Sequence, residues 1–260
     1  MMIKKIVFFC IAIFTLGIFF SFENNVDNTV KVKKIVIDAG HGGKDPGCIG
    51  RYSKEKELTL AVAFKLGKMI TQNLKDVKVI YTREYDWYPS LPERHTIANN
   101  AKADLFISIH INSSPAKVTT ASGTETFVLG LHRNDQKEGA IGEYSNNLER
   151  EDEGILNPND PMTQIIIAQY SQAFLSSSIA LGTFIEDEFT YQGRRSSGVK
   201  QKGLEVLAGC VMPGVLVELG FINNPDEEAY LNSEEGQLEA ATALFNGVKK
   251  YKSTVENPKN

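Results

Sequence analysis

The sequence lacks the features that mark several specialised classes of protein. Its 260 residues contain three cysteines (Cys10, Cys48 and Cys210), which make neither a disulfide framework nor a paired-cysteine metal site. No repeat of about 20–50 residues and no low-complexity tract is visible, so solenoids and repeat arrays are excluded. The formal net charge is only -4, and bulk electrostatics gives no reason to expect a nucleic-acid partner. Cys48 and Cys210 leave two alternatives, a bridge formed in an oxidising compartment or two small buried thiols, and the second is favoured.

One long apolar run stands at the amino terminus. Lys4 and Lys5 precede the mainly apolar residues 6–20, a pattern typical of an export signal and somewhat short for a membrane span. The small residues of an A-x-A cleavage site do not follow. Residues 1–21 are therefore interpreted as a signal peptide or an uncleaved membrane anchor, with the signal peptide favoured, and residues 22–32 as a polar linker.

The rest of the chain has the composition of one globular domain, since 42% of all residues are hydrophobic and 23% are charged. Apolar, β-branched runs alternate with amphipathic stretches, which predicts an α/β fold: a single layered domain with a mainly parallel or mixed twisted sheet of about six strands flanked by helices. Strands are predicted from residue 33 and over residues 77–82, 104–111, 124–129, 198–207 and 215–221. Helices are predicted over residues 56–74, 89–101, 138–150, 163–189 and 234–250. This domain spans residues 33–252, and a polar tail follows over 253–260.

Four residues that can bind a metal or transfer protons lie at or near the ends of predicted strands. His41 follows the first strand in a glycine-rich loop, where glycines let the chain turn tightly, and His110 lies in the third. In an open α/β sheet the carboxyl ends of parallel strands meet at one crevice, so these histidines can approach each other, and Glu55 can supply a third zinc ligand. The alternative for His41 is a surface histidine in a turn.

Glu218 lies within the apolar run VLVELGF, where an unpaired buried charge is expensive. One interpretation is an edge position that faces solvent. The other is a second carboxylate beside the metal that acts as general acid and base. The remaining histidines, His95 and His132, are interpreted as surface residues.

Several blocks of the sequence carry a specific resemblance. They are IVIDAGHGGKDPG, EKELTLAVAFKL, the run YTR…LPER…IAN with ADLFISIHINSS, GTETFVL, GVKQKGLEVL and MPGVLVELGFINNPDEE. In order and spacing they resemble the zinc-dependent N-acetylmuramoyl-L-alanine amidases, bacterial cell-wall hydrolases of the amidase-3 type. The resemblance covers about residues 33–251.

This resemblance implies one zinc ion per chain, bound by His41, Glu55 and His110, with Glu218 as the catalytic glutamate. The implied reaction is hydrolysis of the amide between N-acetylmuramic acid and L-alanine in peptidoglycan, in cell separation or wall remodelling. Asn112 is expected to position substrate or orient a ligand. Glu57, two residues after Glu55, is expected to serve the first turn of the helix. The protein is expected to be exported to the periplasm and to be a monomer.

Some members of the family carry an extra segment that blocks the site until a partner protein moves it. Residues 134–161 correspond to it, with Arg150, Glu151 and Asp152 in place of the family's Arg-Glu-Asn. The resemblance thus suggests that Glu151, or alternatively Glu149, occupies the fourth zinc position, and that an activator acts on this insert. The alternative is a solvated charged loop.

Two other functions remain open at this stage. One is a zinc peptidase that cuts within the stem peptide. The other is a peptidoglycan-binding module or inactive amidase that activates other enzymes, against which the four intact site residues argue.

Overall fold

The computed structural model describes residues 30–149 and 160–258. From Lys31 onwards the described chain forms one compact unit. The interpretation of residues 1–21 as a signal or anchor, and most of the interpreted linker at 22–32, lie outside the described residues.

Six strands form a single sheet, in agreement with the predicted α/β fold. They are β1 (Lys34–Ala39), β2 (Lys78–Tyr81), β3 (Leu105–Asn112), β4 (Thr124–Leu129), β5 (Ser196–Lys202) and β6 (Gly214–Phe221). Their spatial order is β2-β1-β3-β6-β4-β5. The first four in this order pair in parallel, whereas β4 runs antiparallel to β6 and parallel to β5. The sheet is therefore mixed, and the strand direction reverses between β6 and β4.

Seven helices surround this sheet in the described chain. They are α1 (Glu55–Asn73), α2 (Leu91–Asn100), α3 (Asn134–Glu149), α4 (Pro161–Tyr191), α5 (Glu205–Ala208), α6 (Pro225–Asn232) and α7 (Glu234–Glu256), with a 3-10 turn at Leu131–Arg133. The strand predicted over 198–207 is wrong in its second half, since β5 ends at Lys202 and a short helix follows. The last helix extends past the boundaries predicted at 250 and 252, to Glu256.

The two faces of the sheet are covered by different apolar clusters. Ile107 and Val217 belong to the larger one, whereas Val36, Phe106 and Leu216 belong to the smaller one on the other face. Strand side chains alternate between the two faces of a sheet, so residues separated by an even number of positions share a face. Asp38 therefore shares the face of Val36, Glu218 that of Leu216, and His110 that of Phe106. Asp38, Glu218 and His110 lie at the carboxyl ends of their strands.

Helix α4 is the one described helix that by length and composition could cross a membrane, with a mean hydropathy of 1.2. Its residues Leu181, Ile185 and Phe189 are fully buried in the larger cluster. The carboxyl-terminal half of α4 is therefore part of the domain core. Of the cysteines in the described chain, Cys48 and Cys210 are both free thiols; Cys210 is buried, as favoured from the sequence, whereas Cys48 is only half-buried.

Candidate metal centre and active site

The loop after β1 presents His41 in an unusual backbone conformation. The amide of Gly40 donates to the carbonyl of Ile109 on β3 (3.0 Å), after which His41 adopts a φ of 60° in the left-handed region. His41 Nδ1 lies 2.8 Å from Asp45 Oδ2, so this carboxylate orients the ring and directs Nε2 towards Glu55. A carboxylate on the outer nitrogen of a metal-binding histidine is a common way to fix the ring. Asp45 is a residue that the sequence analysis did not select.

Gly47 has a more specific role than flexibility. A Cβ at this position would lie 2.5 Å from Glu55 Oε2 and 2.6 Å from His41 Cδ2, and the φ of Gly47 is +67°. Only glycine therefore allows the loop to pass between these two side chains.

Glu55 is the first residue of α1, and its carboxylate is almost fully enclosed, with the side chain 2% exposed. Oε1 accepts from the amide of Ile111 (2.9 Å) and lies 2.9 Å from His110 Nδ1. Oε2 accepts from the amide of Cys48 (2.8 Å) and lies 3.1 Å from His41 Nε2. Two backbone amides thus fix the carboxylate between the two imidazoles. Glu57 is exposed on the first turn of α1, with Lys54 Nζ 3.9 Å from its carboxylate, so it belongs to the helix start as expected.

The structure brings His41, Glu55 and His110 together, as the sequence analysis expected. One donor atom from each lies within 4.8 Å of the others, and the two imidazole rings are 4.9 Å apart at their centroids. Two imidazoles and one carboxylate make a donor set used by catalytic zinc, which takes three protein ligands and leaves a fourth position open. The residues present therefore fit a zinc ion.

The Glu55 carboxylate of this cluster is held in its charged form, which favours binding of a cation. Burial opposes ionisation of Glu55, but the hydrogen bonds and charges of His110 and His41 outweigh it and hold its pKa well below the usual range. Burial likewise lowers the pKa of His41, but Glu55 and Asp45 outweigh it and raise that pKa to about 9. A metal and a proton compete for the same imidazole nitrogen. Metal binding at neutral pH is thus expected to release a proton from His41.

Glu218 lies beside this cluster, with its Cα in register with His110 on one side and Glu125 on the other. Its strand is internal to the sheet, and its Oε2 is buried without a hydrogen-bond partner among the described residues. The interpretation of Glu218 as a solvent-facing edge residue is therefore wrong. Burial raises its pKa to about 7, with smaller opposing effects from His110 and Lys202 and reinforcing ones from Glu55 and Glu125. A carboxyl group near neutrality can accept and return a proton.

Asn112 ends β3, and its side-chain hydrogen bonds within the described residues go to Glu125 and Ser113 and not to the three clustered side chains. Its Nδ2 donates to Glu125 Oε2 (3.4 Å), and its Oδ1 accepts from the amide of Ser113 (2.8 Å). Glu125, which the sequence analysis missed, also forms an ion pair with Lys200 of β5. Glu125 and Lys200 therefore form a polar border on the side of Glu218 away from His110, and Asn112 reaches this border from the strand of His110.

The expected insert begins with residues that belong to the domain. Lys137 Nζ donates to the carbonyl of Met212 (3.0 Å), and Ile141 is buried, so the first half of α3 packs on the core. Arg150, Glu151 and Asp152 lie outside the described residues, as does the side chain of Glu149. The structure therefore leaves the expected fourth ligand as a prediction.

The chain resembles proteins of known type along most of its length. A family model described as N-acetylmuramoyl-L-alanine amidase matches residues 35–250. The uncharacterized protein YqiI of Bacillus subtilis is 34% identical over 224 residues, which cover 85% of this chain and 86% of YqiI. The probable N-acetylmuramoyl-L-alanine amidase AmiB of Haemophilus influenzae is 32% identical over 235 residues; the match covers 86% of this chain and 53% of AmiB, so this chain spans about half of that relative. The CwlD amidase of Clostridioides difficile, solved in complex with the GerS lipoprotein, is 26% identical with a TM-score of 0.62, and the match covers 85% of this chain and 99% of CwlD.

Proposed function

Since this chain belongs to the N-acetylmuramoyl-L-alanine amidase family, we propose that it performs the family's reaction with one zinc ion held by His41, Glu55 and His110. That reaction is hydrolysis of the amide bond between N-acetylmuramic acid and L-alanine in peptidoglycan. The observation that carries the proposal is the three-residue donor cluster with the buried, unpaired Glu218 Oε2 on the neighbouring strand.

The side chains divide the chemistry between them. His41, Glu55 and His110 would hold a zinc ion, which would lower the pKa of water towards about 7 and polarise the substrate carbonyl. Glu218, with its pKa near neutrality, takes the proton from the attacking water and returns it to the departing L-alanine amine. Asp45 keeps the ring of His41 oriented, and the amides of Cys48 and Ile111 keep the Glu55 carboxylate between the imidazoles.

Digestion of purified peptidoglycan with and without a zinc chelator tests this function. We expect soluble peptides with a free L-alanine amine and an intact glycan strand, identified by mass spectrometry, and no release after chelation. Cleavage within the stem peptide would instead identify a peptidase. Lack of any release by zinc-loaded protein would favour a binding module or an activator of other enzymes.

Two variants separate metal binding from proton transfer. We expect Glu218→Gln to retain one zinc per chain and to lose nearly all hydrolysis, because glutamine cannot accept the proton. His41→Ala is expected to lose the metal together with the activity. Full turnover by the Glu218 variant would contradict the assigned role.

The proposed reaction also requires export. We propose that residues 1–21 direct the protein out of the cytoplasm to the periplasm, because peptidoglycan lies there and the segment combines two lysines with a mainly apolar run. The mass of the protein recovered from the cell envelope distinguishes a cleaved signal from a retained anchor. A protein that stays in the cytoplasm would contradict export.

We further propose that the protein is a monomer. We also propose that the 134–161 insert inhibits its activity until an activator protein binds. The solved complex of the CwlD amidase with a lipoprotein supports the idea that relatives of this chain bind partner proteins. Because the first half of α3 is packed on the core, the informative deletion removes only residues 150–159. Replacing them with a Gly-Ser linker, or introducing Glu151→Gln, is expected to increase peptidoglycan release, whereas the exposed Glu143→Gln serves as a control. Unchanged or lower release by folded variants would show that the insert is not inhibitory.

A further inference from the structure

Two buried arginines lie beneath the candidate metal centre, and the proposed reaction does not use them directly. Arg83 follows β2 and Arg94 lies in α2, and each is 2% exposed. A buried guanidinium is expensive unless its donors are satisfied. The partners of these two side chains therefore indicate what they do.

The guanidinium of Arg83 connects two separate stretches of backbone. Its Nε donates to the carbonyl of Ala39 (2.9 Å), and its Nη2 donates to the carbonyls of Gly40 (2.9 Å) and Lys56 (2.7 Å). Gly40 immediately precedes His41, and Lys56 immediately follows Glu55. A single nitrogen thus joins the backbone on which two of the three clustered side chains are mounted.

Arg94 holds the same loop from its other side. Its Nη1 donates to Asp38 Oδ1 (2.6 Å) and to the carbonyl of Ala39 (2.9 Å), and its Nη2 donates to the carbonyl of His41 (2.8 Å). His41 is in the left-handed region, which is unfavourable for a residue with a Cβ. The bond from Arg94 to the carbonyl of His41 stabilises that conformation.

A third connection repeats the pattern nearer the surface. Asp86 Oδ1 accepts from the amide of Gly43 (2.7 Å), and its Oδ2 accepts from Lys56 Nζ (2.7 Å). Lys56 Nζ also donates to the carbonyl of Gly43 (2.9 Å). The segment after β2 therefore ties the His41 loop to the start of α1 in two places.

The charges show that these bonds are not a simple ion pair. Asp38 is the buried carboxylate in contact with Arg94, and it also accepts from the hydroxyls of Thr82 and Ser108 (both 2.6 Å). Arg83, by contrast, forms no salt bridge within the described residues and uses its donors mainly on backbone carbonyls. An apolar side chain of similar volume would fill this space without the expense of burying a charge. An apolar side chain, however, could not hold the carbonyls of Gly40 and Lys56, which adjoin His41 and Glu55.

We propose that Arg83 and Arg94 are positioning residues that set the separation of His41 and Glu55 before the metal binds. This inference rests on the proposed zinc function. Loss of a group that orients metal ligands typically lowers metal affinity by about 10–100-fold, because binding must then also order the ligands. The two arginines, rather than the metal, build the geometry of the site.

The zinc affinity of folded apoprotein tests the proposal, measured by competition with a chromophoric chelator. We expect Arg83→Met, Arg83→Lys and Arg94→Lys each to bind zinc about 10–100-fold more weakly than the unmodified protein. Lysine keeps the charge but lacks the planar fork that reaches several carbonyls at once, so it should not restore affinity. Circular dichroism and urea unfolding verify that each variant is folded, and the lysine variants decide the question if Arg83→Met fails to fold.

Lys252→Met provides the matched control. Lys252 is another buried cation, and its Nζ donates to the carbonyl of Val32, two residues before β1 begins, and to Asp76 and Glu256. Its removal is expected to destabilise the fold while zinc affinity stays within about twofold.

The outcomes distinguish the inference from the function on which it rests. Failure of the unmodified protein to bind zinc would overturn both. Zinc binding by the unmodified protein together with unchanged affinity in the folded arginine variants would overturn the positioning role alone. An equal loss of affinity in Lys252→Met would overturn it too, because the effect would then follow general stability.

Discussion

Glu218→Gln should make the apoprotein more stable at the same time as it removes activity. In the folded apoprotein, burial raises the pKa of Glu218 to about 7 from an ordinary value of 4.5. Between these two values the folded state retains a proton that the unfolded state releases. Stability is therefore unaffected by this group below pH 4.5, falls as the pH rises from 4.5 to 7, and stays reduced above that window.

The size of the effect follows from the two pKa values. The difference between 7 and 4.5, at about 1.4 kcal/mol per pKa unit, amounts to about 3 kcal/mol above pH 7. At pH 5 most of this penalty is absent, and about 1 kcal/mol remains. Glutamine has nearly the same shape and cannot ionise, so it should remove the penalty.

Urea unfolding in the presence of a chelator, at pH 5 and at pH 8, measures the prediction. We expect Glu218→Gln to have a higher free energy of unfolding than the unmodified protein at pH 8. This gain should be about 2 kcal/mol larger at pH 8 than at pH 5. Hydrolysis of peptidoglycan by the zinc-loaded variant should fall by about 100-fold or more. Glu57→Gln, on the exposed side of α1, is the matched glutamate-to-glutamine control. A stability difference that is the same at both pH values would refute the reasoning, since a burial penalty on a charge must vanish when the charge is neutralised.

Three further predictions concern the surroundings of the site. Glu218 must be ionised to accept a proton, so Glu125→Gln should move the acidic limb of the kcat/KM profile to lower pH and Lys202→Met should move it to higher pH. Each shift should be about half a pH unit, the effect of a unit charge at about 5 Å in water. Shifts in the same direction for both variants would contradict the opposite effects of Glu125 and Lys202 on the pKa of Glu218. Gly47→Ala should weaken zinc binding, because its Cβ would clash with the Glu55 carboxylate, whereas Gly193→Ala, also at positive φ but with open space around it, should only destabilise the fold. Removal of zinc by chelation should abolish hydrolysis but preserve cooperative unfolding, and added zinc should restore activity; loss of the folded state on chelation would contradict a site built by the protein itself.

Much of the fold could be predicted because its strands are apolar, β-branched runs with polar boundaries. β4 begins and ends where the pattern predicts, and the other strands agree within a few residues apart from β5. The error at β5 has a physical cause: Val206 and Leu207 prolong the apolar pattern, but they reach the smaller core cluster from a helical turn. Local patterns cannot tell which of the two geometries buries such residues.

The site was predictable where it depends on strand ends and not where it depends on distant hydrogen bonds. His41 and His110 follow from the rule that parallel strands share a crevice, and Glu218 from the expense of its burial. The role of Arg83 could not be inferred, because its partners are backbone carbonyls of residues 44 and 27 positions away. Glu125 was missed because its approach to Glu218 requires β4 to run against β6, which no local pattern shows.

The reversed direction of β4 has a consequence for the stretch that joins it to β3. A parallel connection from β3 would have to cross the sheet, usually through a helix, before a new strand began. Here the stretch 113–123 instead leaves the sheet at the end of β3 and re-enters it at the start of β4, on the same side as Glu218. Both ends of this stretch are anchored beside His110 and Glu218, and its length is not fixed by the sheet. The length of this stretch can therefore change without altering the strands that carry His110 and Glu218.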